Sequence, residues 1–229
     1  MIVKKKPNLQ KQGILYLAFQ HIGCTADTPP RCISLLQSCE LIVFEEDHNA
    51  RQTLKLAKIH RSYLKYNEHA QEETLAKVEE SLNEGKSVLY MSDQGSPTLA
   101  DPGKALLKIA YKVKAKVIII PGPSAISAAI AACPFKMEPH LYLGFLPRKK
   151  EELIKNLKRY ISTKVPLVIL DTPYRCKQLL TSCQIVFPKK QLAFMAQDIS
   201  GENEDYITGT FDKIIKLYKP KTNFVLIIK

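Results

Sequence analysis

The sequence has no tryptophan and only nine glycines among its 229 residues. The glycines form neither GxGxxG nor GxxxxGK[ST], which excludes the usual dinucleotide fingerprint and a P-loop. The six cysteines include no CxxC pair, so we expect neither a structural zinc module nor any other metal site. A nucleotide-like cofactor would therefore need a different kind of binding loop.

Long uninterrupted apolar runs are also lacking. The longest stretch without charge, residues 117–135, contains Pro121, Gly122 and Pro123, which predict a strand, a loop and a helix rather than a membrane span. The lysine-bearing start is not followed by the apolar run and cleavage site of a signal peptide. We therefore expect a cytoplasmic protein with reduced cysteines and no membrane contact.

Acidic residues are scarce beside basic ones, since 22 Asp and Glu against 34 Lys and Arg give a net charge of +12. This excess favours a polyanionic partner such as nucleic acid, or an anionic surface, without choosing between them. Basic residues cluster in the leader 1–13, in 148–164 and in 213–221. Each cluster is also compatible with a plain solvated face.

Apolar runs of strand length alternate with helical patterns through the first half of the chain. The strand-like runs are 14–19, 41–45, 87–92 and 116–120, and the helical segments are 30–39, 49–59, 69–85 and 103–114. This alternation predicts βαβ units and a mainly parallel sheet.

The pattern of apolar runs and helical segments changes near Pro134 and Pro139, which predicts a second α/β lobe. Its strand-like runs are 140–146, 165–170, 192–197 and 224–228, with helical segments at 149–161, 174–183 and 211–218. The sequence thus predicts an α/β protein with a basic leader (1–13), an N-terminal lobe (14–135) and a C-terminal lobe (136–229).

Two loops that directly follow strands are candidate ligand sites, Ser92–Pro97 and Pro121–Ala125. Ligands of open parallel sheets bind beyond the carboxyl ends of the strands. Gly95 and Gly122 would allow the backbone to approach a ligand, and Ser124 is placed to cap a helix whose free N–H groups favour a carboxylate. Both loops could equally be ordinary turns.

An acidic group, residues 45–48 with Arg51 close behind, ends the second strand. Clustered carboxylates repel one another unless a cation or a substrate hydroxyl is near, and such a group can deprotonate or orient a ribose hydroxyl. An exposed helix N-terminus, where acidic residues complement the macrodipole, explains it equally well. Residues 171–175 end another strand similarly, and their Thr-Pro also fits a simple helix start.

Together these segments resemble the tetrapyrrole methylase superfamily of S-adenosylmethionine-dependent methyltransferases. The resemblance is to the branch of ribosomal RNA small-subunit cytidine 2′-O-methyltransferases, and it spans roughly residues 14–228. The matching segments are FQHIGCTADTPPR (19–31), ELIVFEEDHNARQTL (40–54), YNEHAQ (66–71), SDQGSPTLADPG (92–103), PGPSAISA (121–128), GFLP (144–147), LDTPYR (170–175) and AQDISGENEDYITGT (196–210).

The resemblance implies two α/β lobes, the second with a mixed sheet, and S-adenosylmethionine in the cleft between them. It also implies a homodimer that acts on RNA of the small ribosomal subunit. The implied cofactor contacts are Ile22, Gly23, Asp93, Gly95, Ser96, Ser124, Ala125, Leu170 and Met195. Asp93 is the foremost of these, although as a purely structural residue it would cap the turn that follows it.

This chain departs from the branch pattern in five places. In the EDTR stretch, residues 46–48 are Glu, Asp and His, and in YESPHR the Glu becomes Asp171 and the His becomes Tyr174. Gln20-His21 replaces Thr-Pro, Cys24 replaces Asn, and residues 196–201 replace ARELTK with the loss of both basic residues. Cation contacts to phosphate contribute strongly to RNA affinity, so the acceptor is less well defined than the cofactor.

The candidate catalytic residues are Glu45, Glu46 and Arg51, and the candidate substrate contacts are His69, Arg148, Lys149 and Arg175. His69 is also a reserve base, or simply a hydrogen-bonded residue at a helix start. Three functions fit the sequence: an RNA ribose 2′-O-methyltransferase, a methylase of a tetrapyrrole or other small acceptor, and a non-catalytic RNA-binding relative.

Overall fold

The computed structural model describes residues 11–66, 71–99 and 101–229, which form two compact units. The first unit runs to His21 and resumes over Ala26–Gly122, and the second comprises Ile22–Thr25 and Pro123–Lys229. The division therefore falls after Gly122 and not at the expected position after residue 135. The reason is that helix α5 (Ala125–Ala132) contacts strands of the second unit's sheet.

The first unit contains a five-stranded sheet in the order β3-β2-β4-β1-β5, with every pair parallel. Its strands are β1 (Ile14–Ala18), β2 (Leu41–Phe44), β3 (Leu64–Lys65), β4 (Ser87–Met91) and β5 (Lys116–Ile120). Its helices are α1 (Pro30–Ser38), α2 (Asp47–Ala57), α3 (Gln71–Asn83) and α4 (Lys104–Lys112). The predicted parallel sheet is confirmed.

Both faces of this sheet are covered, as parallel sheets require. Leu89 and Met91 of β4 pack with α1 and α2 on one face, whereas Val88 and Tyr90 pack with α3 and α4 on the other. The alternation follows from the two-residue period of a strand. It explains why the predicted strands are continuous apolar runs.

The second unit contains a five-stranded sheet in the order β6-β7-β10-β8-β9. Only β6 and β7 pair in parallel and the other pairs are antiparallel, which confirms the expected mixed sheet. The strands are β6 (Leu141–Gly144), β7 (Leu167–Asp171), β8 (Leu192–Gln197), β9 (Asp205–Thr210) and β10 (Phe224–Ile228). The helices are α5, α6 (Lys150–Lys158), α7 (Cys176–Val186) and α8 (Phe211–Leu217).

The second unit buries apolar side chains on both faces of its sheet. Ala193 and Met195 of β8 point into the core beneath α6, α7 and α8, and Phe194 and Ala196 point toward α5. Among the residues that the structure describes, no helix is long and apolar enough to cross a membrane.

Candidate active site

Glu45 and Asp93 lie together at the carboxyl edge of the first unit's sheet. Glu45 follows β2 and Asp93 follows β4, and these two strands are parallel neighbours. The Asp93 backbone N–H donates to Glu45 Oε2 at 3.1 Å, and the Glu46 backbone N–H donates to Asp93 Oδ1 at 3.2 Å. The predicted acidic group after β2 and the predicted loop Ser92–Pro97 after β4 are therefore joined through their carboxylates.

Burial raises the pKa of Glu45 to about 7, and the nearby charge of Asp101 adds to the shift. Asp101 Oδ1 itself accepts hydrogen bonds from the Tyr90 hydroxyl at 2.9 Å and from the Gly103 backbone N–H at 2.7 Å. A carboxyl group that titrates near neutral pH can accept a proton from a substrate and return it to solvent. The geometry thus singles out Glu45 among the predicted catalytic residues.

Burial also raises the pKa of Asp93, while hydrogen bonds from the Asn49 side chain and the Glu46 backbone oppose the shift. Asp93 thus holds the loop after β2, which is a different structural role from capping its own turn. Its predicted contact with a cofactor remains a prediction.

Glu46 and Arg51 are less involved with this pair. The Glu46 side chain is exposed at the N-cap position of α2. Arg51 Nη2 pairs with Asp47 Oδ2 at 2.7 Å, and the same carboxylate accepts a hydrogen bond from the Tyr63 hydroxyl. The basic partner expected for the acidic cluster therefore binds Asp47. His69 lies outside the described residues.

Gly95 and Gln20 join the loop after β4 to the segment after β1 at the same edge of the sheet. Gly95 has φ +64°, a conformation that favours glycine, and it exchanges two backbone hydrogen bonds with Gln20 at 3.0 and 3.1 Å. The buried Gln20 side chain donates to Thr53 Oγ1 at 2.8 Å. Gln20, a departure from the family pattern, thus has a structural partner. Ser96 is half-buried on the loop beyond Gly95.

Gly122 corrects one expectation from the sequence. A Cβ at this position would lie 2.7 Å from Pro29 Cγ and 2.8 Å from Phe19 Cβ. The missing side chain therefore makes room for the protein's own residues. No ligand is needed to explain this glycine.

Ser124 occupies the N-cap position of α5, as predicted, but its side chain makes no capping hydrogen bond to the described residues. Its carbonyl accepts the Ala128 backbone N–H at 2.9 Å, and Ala125 is half-buried against the adjoining core. Without a side-chain cap, the first-turn N–H groups of α5 suit an anionic group such as an amino-acid carboxylate.

Gly23 and Cys24 lie against the loop that follows β8 within the second unit. A Cβ on Gly23 would be 2.5 Å from the Ser200 carbonyl carbon, and the Cys24 backbone N–H donates to Ser200 Oγ at 3.0 Å. Two of the segments that depart from the family pattern are therefore in contact with each other. Ile22, just before them, is half-buried.

Leu170 and Met195 differ in their availability to a ligand. Leu170 is half-buried at the end of β7 on the α5 side of the sheet. The Met195 side chain is fully buried in the core on the opposite face. Its predicted contact with a cofactor does not fit this placement, because the surrounding core side chains occupy the space around it.

Arg175, predicted as a substrate contact, also has partners within the protein. Its Nη2 donates to the carbonyls of Leu146 at 2.9 Å and Pro147 at 2.7 Å, and Nη1 lies 3.4 Å from Asp171 Oδ1. Only 16% of its side chain is exposed. Arg175 thus fixes the loop after β6, whereas Arg148 and Lys149 on that loop are exposed, as a substrate contact requires.

Solved structures share this fold. The uroporphyrin-III-C-methyltransferase of Thermus thermophilus superposes with a TM-score of 0.63 at 15% identity, covering 95% of this chain and 94% of that one. A diphthine synthase gives a TM-score of 0.72 at 13% identity, covering 95% of this chain and 89% of the other. The chain is therefore an α/β protein of the tetrapyrrole methylase fold.

The sequence profile of the family described as Tetrapyrrole (Corrin/Porphyrin) Methylases matches residues 22–215, and the chain belongs to this family. The resemblance found in its motifs is thereby confirmed. The protein is a methyltransferase whose cofactor is S-adenosylmethionine.

Curated relatives extend the similarity at the sequence level. The chain is 29% identical over 203 residues to the ribosomal RNA small subunit methyltransferase I of Bacillus subtilis, covering 89% of this chain and 69% of the relative. It is 28% identical over 222 residues to the protein of the same name from Leptospira borgpetersenii, covering 95% and 88%.

Proposed function

We propose that this methyltransferase modifies a ribose 2′-hydroxyl of small-subunit ribosomal RNA. The names of its relatives support the RNA class, and the observation that carries the chemistry is the Glu45 carboxyl group, with a pKa of about 7 at the edge of a parallel sheet. A ribose hydroxyl is a poor nucleophile at neutral pH and needs a group that takes its proton.

Glu45 is the general base in this proposal. S-adenosylmethionine supplies, when bound, a methyl group on a positively charged sulfur. The Glu45 carboxylate takes the proton of the ribose hydroxyl, which makes that oxygen a better nucleophile toward the methyl group that bound S-adenosylmethionine would supply. The Asp93 backbone N–H holds Glu45 Oε2 in place, and the Asp101 side chain is a second hydrogen-bond partner of the Glu45 carboxyl group.

The residues assigned to the cofactor suit its chemistry. Asp93 offers a carboxylate to a cationic amine, and the uncapped start of α5 after Ser124 offers N–H groups to a carboxylate. Half-buried Ile22 and Leu170 provide apolar surface of the kind that adenine contacts. We retain the other proposed contacts, Gly23, Gly95, Ser96 and Ala125, and leave out Met195 because of its burial.

The proposed RNA contacts lie on and before α6. Arg148 and Lys149 are exposed, and α6 adds the exposed Lys150, Lys155 and Lys158. Lysine and arginine side chains of this kind neutralise phosphates and make binding salt-dependent. The net charge of +12 supports the same partner.

We also propose a cytoplasmic location and a homodimer. The six cysteines all lie in the described part of the chain and are free, four of them buried, which suits a reducing compartment. Light scattering of the purified protein tests the dimer, since a mass near 25.9 kDa would mean a monomer.

The deciding experiment is calorimetric titration with S-adenosylhomocysteine, followed by transfer of a labelled methyl group to small ribosomal subunits that lack the modification. Cofactor binding with label on a ribose supports the proposal. Binding with transfer only to a porphyrin-type acceptor would make the chain a small-molecule methylase. No cofactor binding would leave the non-catalytic RNA-binding alternative.

A further inference from the structure

The second unit contains a cleft of about 630 Å³ that the proposed reaction does not use. It opens beside the loops that follow β6 and β7, the parallel pair of this sheet. Ligands of α/β sheets bind beyond the carboxyl ends of such strands. Phe145, Arg148, Asn156, Thr172 and Arg175 are among the residues that line it.

Side chains of the segment after β7 hold the loop that follows β6, on one side of this cleft. Arg175 donates to the carbonyls of Leu146 and Pro147, and Gln178 Nε2 donates to the carbonyl of Arg148 at 2.9 Å. Three consecutive carbonyls are thus held by two side chains of the segment that follows β7. A loop held in this way presents its outward side chains in a defined position.

Phe145 is the outward aromatic residue of this loop. It follows Gly144, whose φ of +62° turns the chain at the end of β6, and 49% of the Phe145 residue remains exposed. Covering an exposed phenyl ring gains free energy, so a rigid loop that keeps Phe145 in solvent offers a surface on which a planar ligand can stack. Arg148, also exposed, stands three residues further along the loop.

The cleft lining also has unpaired hydrogen-bonding atoms. Asn156 Oδ1 and Arg175 Nε are buried and have no hydrogen-bond partner among the described residues. One is an acceptor and the other a donor. A ligand with both a donor and an acceptor along one edge would satisfy the two, and nucleobases have such edges.

We propose that this cleft binds one unstacked nucleotide of the acceptor RNA. The base stacks on Phe145, its edge pairs with Asn156 and Arg175, and Arg148 faces the backbone phosphate. Stacking on an exposed aromatic ring beside a cation is how proteins commonly hold single-stranded RNA. The inference rests on the proposed function, since it takes RNA as the substrate.

The test measures binding of a fluorescent single-stranded RNA octamer to the full chain by anisotropy, with no methyl transfer required. Phe145→Ala should weaken binding roughly tenfold, because stacking on one aromatic side chain is worth that much. Phe145→Tyr, which keeps a ring, should bind like the wild type. Phe145→Leu keeps apolar bulk without a ring, so its RNA affinity should drop as that of Phe145→Ala does. It takes the place of Phe145→Ala if the alanine variant does not fold.

Tyr111→Ala is the matched control, since Tyr111 is an exposed aromatic residue on α4 of the other unit. It should leave RNA binding unchanged, and S-adenosylhomocysteine affinity should be the same in all these variants. Wild-type affinity in Phe145→Ala and Phe145→Leu, or a wild type that binds no octamer, overturns the cleft assignment.

The two proposals fail separately. If binding depends on the Phe145 ring but ribosomal subunits are not methylated, the cleft assignment stands and the proposed function falls. If Phe145→Ala methylates subunits at the wild-type rate and binds RNA normally, the function stands and the cleft assignment falls.

Discussion

Glu45 and Asp93 are each tied to the other's loop by a backbone amide: the Asp93 N–H donates to the Glu45 carboxylate, and the N–H of the residue after Glu45 donates to the Asp93 carboxylate. Both carboxyl groups have raised pKa values, mainly through burial. The ends of β2 and β4 therefore form one electrostatically coupled edge, and a change in either side chain should be felt at the other.

Glu45→Gln should reduce the rate of methyl transfer by roughly 100-fold or more, the usual contribution of a general base. The amide keeps an acceptor for the Asp93 N–H but cannot take a proton. The wild-type rate should rise with pH through about 7 as Glu45 ionises, and this rise should be missing in the variant. Glu46→Gln, with an exposed side chain, is the matched control. Single-turnover rates between pH 5.5 and 8.5, at about half-unit steps, test this, and a wild-type rate independent of pH would remove Glu45 as the base.

Glu45 should also make the fold less stable as pH rises. Its pKa is raised from 4.5 to about 7 in the folded protein, so between these values the unfolded chain has lost a proton that the folded chain still holds. The favourable contribution of the protonated group is complete below pH 4.5 and is lost as pH rises through about 7. Urea unfolding of the wild type and of Glu45→Gln should show the wild type losing stability relative to the variant across this window. A constant difference would contradict the raised pKa.

Asp93→Ala should weaken S-adenosylhomocysteine binding, because it removes the carboxylate proposed to face the cofactor amine. It should cost only about 1 kcal/mol of stability, since the freed Glu46 N–H is accessible to water. Asp93→Asn keeps the Oδ1 acceptor without the charge. It therefore separates the effect on cofactor affinity from the effect on stability. Calorimetry supplies the affinities, and an alanine variant that binds as tightly as the wild type would eliminate this site assignment.

The strands of the first unit could be predicted because parallel strands buried on both faces are continuous apolar runs. The two-residue β3 is too short to give such a pattern. Strand β9 was not predicted, because its sequence DYITGT is polar and contains a glycine. Helix α5 is apolar on all sides, so its sequence alone does not indicate which sheet it packs against.

Site residues were predicted by position more reliably than by role. Glu45 and Asp93 lie at one sheet edge because each directly follows one of two neighbouring parallel strands, and the apolar runs that predict those strands are visible in the sequence. Gly122 and Arg175 have residue types suited to ligands, yet their partners are Pro29 and the Leu146 carbonyl inside the protein. Such partners depend on packing between segments distant in sequence, which a single sequence does not specify.

Arg175→Lys should destabilise the protein by about 1–3 kcal/mol, although the charge is kept, because a lysine cannot bridge two carbonyls and a carboxylate. Asp171, whose side chain is fully buried, would lose its guanidinium partner and keep the Thr172 backbone N–H, which donates to its Oδ1 at 2.7 Å. Urea denaturation gives the free energy of unfolding. Lys177→Arg, at an exposed position on α7, is the control. Equal stability of Arg175→Lys and wild type would mean that the loop does not depend on these bonds.

Replacing Arg148, Lys149 and Lys150 together with alanine should weaken RNA binding and leave S-adenosylhomocysteine affinity intact. All three side chains are exposed, and removing one cation from a phosphate should make the dependence of log K on log salt less steep by about 0.7 for a single strand. Lys189→Ala/Lys190→Ala removes exposed charge elsewhere in the same unit and controls for net charge alone. Anisotropy titrations at several salt concentrations distinguish the cases. If both sets of variants lose RNA affinity in proportion to the number of charges removed, RNA binding is spread over the surface. A larger loss of affinity per charge in the triple variant would place the RNA contact at the start of α6.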